Sequence, residues 1–223
     1  MSSGKRHKFQ GSPIRFLTSY DEASPGPMSV SAITKASPAV VTVDSTTILG
    51  ATGEIGVVKL ASVEGMTELG GYYIVEVLGA TTFSLVGVDS SDYTTFTGTA
   101  LAYPGVFSPW CEVTGLNRQG GASPEIPAST VCSDFAEFEV GLPDFGTAQV
   151  DFNFAPETGV QTALEAFQRS GERTAIQYEA ANGAWQRTVL GFIQQTGEQG
   201  QNGGLWTGSA TFRATGAPVT VID

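Results

Sequence analysis

From residue 147 to 154 the chain alternates without a break. Ala148, Val150, Phe152 and Phe154 share one side, and Thr147, Gln149, Asp151 and Asn153 share the other. A period of two suits a strand with one buried and one watered face. The residues that follow extend the pattern into a mainly β fold with one flanking helix. Val160, Leu164 and Phe167 stand at helical spacing and predict a helix over 157–169, with Thr158 and Gln161 as a capping-box pattern and Gly171 as the stop. Residues 175–179, 185–195 and 205–215 return to strands, the first two joined by the hairpin signal Asn182-Gly183. Residues 14–19 predict a first strand and residues 107–116 a later one, so the sheet is assembled from distant parts of the chain.

The 28 Gly and 11 Pro among 223 residues favour a turn-rich β protein, and 41% hydrophobic residues suffice for a core. Pro and Gly mark two crossings, Ser24-Pro25-Gly26-Pro27 and Pro104-Gly105. They divide the chain into a discontinuous core domain, 1–27 and 105–223, and an inserted small β domain, 28–104. Inside the insert, short β runs at 39–43, 56–60, 72–77 and 82–85 are separated by Gly, Ser and Asp turns. The pattern predicts a small barrel or sandwich that closes without help from the core, sits on the outer surface and tolerates deletion. Residues 117–127 read as a polar loop too poor in apolar residues to pack alone, of a length that suits a contact arm.

Several function classes lose their footing. A net charge of −11 argues against gripping nucleic acid, since phosphate contacts need clustered Lys and Arg. The basic run Lys5-Arg6-His7-Lys8 reads as a solvated terminus. No apolar run reaches the length of a membrane span and no signal-peptide core follows the N-terminal charges, so the expectation is a cytoplasmic start and no membrane anchor. Cys111 and Cys132 with the single His7 give no zinc site. They read as buried reduced thiols on neighbouring strands, with a single disulfide left open. Gly50-Ala51-Thr52-Gly53-Glu54-Ile55-Gly56 imitates a dinucleotide-binding loop but leads into β sequence where that fold needs a helix. Glu137, Glu139, Asp144 and Asp151 form no evident glycosidase pair, and a Ser-His-Asp arrangement would depend on His7. The expectation is therefore no enzyme, no cofactor and no metal.

Two resemblances add to this reading. The insert resembles the small β-barrel of ubiquitin-activating enzymes known as the first catalytic-cysteine half-domain, through Gly65-Met66-Thr67-Glu68-Leu69-Gly70-Gly71, Ala80-Thr81-Thr82-Phe83-Ser84-Leu85 and Gly87-Val88-Asp89-Ser90-Ser91-Asp92-Tyr93. Nothing of ubiquitin chemistry comes with it. The core resembles the tail tube (major tail) proteins of long non-contractile-tailed bacteriophages. That likeness rests on Gly141-Leu142-Pro143-Asp144-Phe145-Gly146, Ala163-Leu164-Glu165-Ala166-Phe167, Asn182-Gly183, Gly191-Phe192-Ile193 and Thr215-Gly216-Ala217-Pro218 in that order.

The second resemblance implies a β-sandwich subunit of a virion. Its homo-hexameric rings would stack around a tape measure protein between tail tip and tail terminator proteins, then pass double-stranded DNA without binding it specifically. On that reading Gln149, Asp151 and Asn153 line an acidic lumen, and Asn117, Arg118, Gln119, Gly120, Gly121 and Glu125 form an inter-ring loop. The alternative is an adhesin or receptor-binding module of the tail, with Tyr72, Tyr73, Tyr93 and Tyr103 as its contact surface.

Overall fold

A computed structural model describes residues 7–22, 26–130 and 135–222. These form fifteen strands and one α-helix, which makes the class mainly β. The strands are β1 Ile14–Tyr20, β2 Met28–Ile33, β3 Val40–Val43, β4 Ile55–Ala61, β5 Gly71–Gly79, β6 Thr82–Leu85, β7 Ala100–Pro109, β8 Val113–Gln119, β9 Glu125–Pro127, β10 Phe138–Val140, β11 Thr147–Asn153, β12 Thr174–Glu179, β13 Trp185–Gln199, β14 Thr207–Ala214 and β15 Val219–Ile222. The helix α1 spans Gly159–Ser170.

The insert is a closed six-stranded barrel. Its order is β2-β3-β6-β5-β4-β7, and pairing of β7 with β2 completes the circle. Alternate residues fill the interior with Val30, Val41, Val58, Leu60, Val75, Val77, Phe83 and Leu85. The remaining strands run β7-β1-β12-β13-β14-β11-β8, with β15 alongside the start of β13. This sheet folds over on itself. The bend of β13 at an irregularity between Ile193 and Gln195 lets one 15-residue strand serve both halves. Trp110 then lies between Phe16 of β1 and Phe152 of β11, ring centres 5.7 and 5.1 Å away.

The two layers meet along β7. Its first half pairs with β2 and β4, its second half with β1. Pro104-Gly105 is therefore no linker but the middle of a strand. Pro104 brings no amide donor to that strand but its carbonyl accepts from the Asp21 amide at 2.9 Å, and Gly105 leaves room for the Leu17 side chain, which a Cβ would meet. The expected strand over 107–116 is likewise two strands separated by a turn at Cys111 and Glu112. Cys111 is exposed in that turn, not buried between strands, while Cys132 lies outside the described residues.

The barrel also reaches the main core. Arg15, Leu17, Ala175, Gln177, Thr188 and Leu190 share one face of β1-β12-β13 by register, and Ile55, Val57 and Ile74 from the barrel wall join the cluster that contains Leu17, Ala175 and Leu190. Buried Gln177 fixes the contact, its Nε2 donating to the Ile55 carbonyl at 3.1 Å and to Thr188 Oγ1 at 3.2 Å. The opposite face carries Phe16 and Ile176 toward α1, whose Phe167 ring meets Phe16 edge-on. The central strands are thus covered on both faces: the barrel closes through its own residues, as expected, while sharing β7 and the Ile55, Val57 and Ile74 side chains with the main core.

At α1 the stop is as expected: Gly171 is left-handed at φ 68° and its amide donates to the Phe167 carbonyl. The start is different. The Thr158 hydroxyl donates back to the Ala155 carbonyl, and buried Gln161 bonds both the Ala155 amide and the Asn153 carbonyl, so the pair makes a loop clamp in place of a capping box.

Candidate assembly surfaces

The outer face of the second half-sheet is built from rows of short polar side chains. Asn117, Gln149, Thr211 and Gln195 lie in one row, Gly115, Asp151, Ser209 and Gly197 in the next, and Asn153, Thr207 and Gln199 in a third. Gln149, Asp151 and Asn153 stand on this face as the alternation predicts, with Ala148, Val150 and Phe152 buried beneath. Gln149 Nε2 donates to Asp151 Oδ1 at 3.0 Å. Asp151 is the one charged residue in these three rows; the adjoining row of Gln119, Thr147 and Arg213 adds a guanidinium that Asp144 pairs at 2.9 Å.

The loop assigned to residues 117–127 is only partly a loop. Asn117, Arg118 and Gln119 belong to β8 and pair with Gln149, Ala148 and Thr147. Their low β propensity hid a strand that β11 holds in place. Beyond them rises an arm, described over residues 120–130 and 135–146, whose strands β9 and β10 pair with each other in a sheet of their own. Its root is tight. A Cβ on Gly121 would run into the Asp144 carbonyl, the Asp144 amide donates to Ala122, and the Gly141 amide donates to Pro124 at 2.7 Å. Arg213 clamps Asp144 at 2.9 Å and Arg118 donates to the Phe145 carbonyl. Gly121 and Gly146 thus serve a close backbone approach at the root, Gly120 has open space where a Cβ would stand, and Glu125 opens β9.

All six residues of β9 and β10 are exposed. Register places Glu125, Pro127, Phe138 and Val140 on one face, and Leu142 continues it. Phe138 is 59% exposed, Val140 79% and Leu142 89%. The sequence held the signal in the alternation of Phe138, Val140 and Leu142, which the reading of 117–127 as the arm passed over.

The insert tyrosines are each half-buried in packing. Tyr72 and Tyr103 pack against the main core, Tyr73 and Tyr93 against the barrel's. Tyr72 belongs to a seam where its hydroxyl and Lys59 Nζ both donate to Glu172 Oε1, at 2.8 and 2.7 Å, while Tyr20 donates to the Arg173 carbonyl. The hydrogen bond to Glu172 raises the Lys59 ammonium above its usual range, and burial raises the Tyr72 and Tyr20 phenols.

The chemistry-bearing residues considered above are dispersed. Glu137 and Glu139 belong to the arm, Asp144 to its root and Asp151 to the sheet face. Lys5 and Arg6 lie outside the described residues, and His7 meets Asn182 Oδ1 at 3.2 Å. Gly50 and Gly53 form turns at φ 113° and 90° that enter β4. Among the described residues no helix is long and apolar enough to cross a membrane, and no group of three or more His, Cys, Asp or Glu is placed to hold a metal. No protein-family profile matches the chain, and no curated protein matches it in sequence.

Proposed function

We propose that this chain is the ring subunit of a tube, a structural virion protein of the kind that forms the tails of long non-contractile-tailed phages. The observation that carries the reading is the arm: a strand face of Phe138, Val140 and Leu142 left bare beside a sheet with a polar outer surface. Apolar side chains aligned on one strand face are a contact surface awaiting a partner. The rows around Asp151 suit a lumen wall, since amides and hydroxyls give phosphate no charge to grip, the adjoining Arg213 is paired by Asp144, and each Asp151 would recur in every subunit of a hexameric ring. The adhesin alternative has less support, because its tyrosines are committed to packing.

Negative-stain microscopy of the purified chain, alone and with tape measure and tail-tip partners, should give rings and stacked tubes. A compact monomer under every such condition would sink the proposal. In assembled particles Asp151→Lys should slow genome ejection most at low salt, where phosphate attraction is least screened. Wild-type ejection kinetics would remove this face from the lumen.

A further inference from the structure

The arm leaves one end of β8, and an open cleft lies at the other. Gln119, the last residue of β8, leads into the arm, while Val113, the first, lines a cleft of about 660 Å³ between the N-terminal segment and the turn after β7. A seven-residue strand separates the two by roughly 20 Å. Phe9, Pro13, Pro109 and Val113 give the cleft apolar walls, and Phe9 is 50% exposed. Trp110 also lines it, and its indole Nε1 is the one buried side-chain polar atom without a partner among the described residues.

Charge distinguishes this cleft. Arg15 is the only charged residue lining it, and Lys8 adjoins Phe9 in sequence. The nearest carboxylate to Arg15, on Glu179, is at 4.0 Å, and the Arg15 side chain is 43% exposed. The arm strands bring the opposite sign: Glu125 shares the face of Phe138 and Val140, and Glu139 lies on the reverse. Phe138, Val140 and Leu142 on the arm and Phe9, Pro13 and Pro109 in the cleft are exposed in the single copy, while Val113 and Trp110 form the cleft's more buried wall.

We infer that the Phe138, Val140 and Leu142 face of the arm docks into the Phe9, Pro13, Pro109 and Val113 cleft of a second copy, with Glu125 beside Arg15. Donor and acceptor are different surfaces at opposite ends of the same strand. Where each copy gives its arm to one neighbour and receives the arm of another, the contact is head-to-tail and repeats from copy to copy. The inference rests on the tube reading only for calling that repeat a stack of rings.

Disulfide trapping tests it directly. Val140→Cys combined with Phe9→Cys, in a Cys111→Ser and Cys132→Ser background, should on oxidation of concentrated protein give a ladder of dimers, trimers and higher species. Either new cysteine alone can give dimers at most. Arg15→Glu should raise the protein concentration needed for assembly about tenfold, and adding Glu125→Arg should restore it, with melting temperatures showing that each variant is folded. Rings or tubes without a ladder overturn the docking and leave the tube reading standing. A ladder without rings or tubes supports the docking and removes the tube. Neither, in folded protein, overturns both.

Discussion

Gln161 is a buried polar residue on a helix face otherwise committed to Val160, Leu164 and Phe167. Its amide holds the turn between β11 and α1 by both ends. Gln161→Leu keeps the volume but strands an amide and a carbonyl, and should cost about 2 kcal/mol in urea unfolding; a loss below about 0.5 kcal/mol would mean that water replaces both bonds. The sequence pattern of Thr158 and Gln161 identified the helix start correctly but misassigned the bonds, because it cannot display the neighbouring strand end that supplies the acceptor. Lys59 gives a test in pH. Its folded-state pKa is raised by Glu172, and that of Tyr72 by burial, so the folded form binds protons more tightly than the unfolded chain. That stabilisation is complete below the unfolded values near pH ~10 and is lost as pH rises through the folded ones. Melting temperature should therefore fall more steeply above pH ~10 in the wild type than in Lys59→Met. Parallel curves would show that the seam contributes nothing through this proton.

Among the elements, those with a strict local period were legible and those held by distant partners were not. β11 and α1 could be read because burial repeats along them at two residues and at helical spacing. β8, with sequence VTGLNRQ, has no such repeat and exists because β11 pairs with it. β2 and β15 went unread beside the Pro and Gly segments that seemed to end each unit. The arm is the element most exposed to test. A two-stranded ribbon of three-residue strands with no buried face is marginal by itself in water. Amides of β9 and β10 should thus exchange rapidly in the free subunit and at least tenfold more slowly in assembled material, while those of β11 stay protected in both. Equal exchange of the ribbon amides in both states would exclude it from the contact.

At the scale of the whole molecule, the insert is a layer of the structure as well as a domain in sequence. Removing residues 27–104 and joining Gly26 to Gly105 through a short flexible linker would strip Ile55, Val57 and Ile74 from Leu17, Ala175 and Leu190, and leave β7 without its barrel half. Cooperative unfolding should be lost on deletion, as followed by calorimetry. A deletion protein that melts in one sharp step near the wild-type temperature would restore the barrel to the status of an attachment. Sequence reading marked the insert's ends by composition, but no local signal reveals that a strand crossing such a boundary serves two cores. The long wait imposed on β1 has a consequence during synthesis. Leu17 accepts a hydrogen bond from Thr174, 157 positions later, whereas every strand of the barrel has emerged once β7 is made. Chains grow at about 5–20 residues per second and their earlier parts fold first, so the barrel closes while β12 is still untranslated and holds β1 along β7 as a template. A ribosome-bound chain arrested before β12 should already protect residues 28–104 from protease; digestion there as rapid as elsewhere would mean that the N-terminal strand waits unguarded.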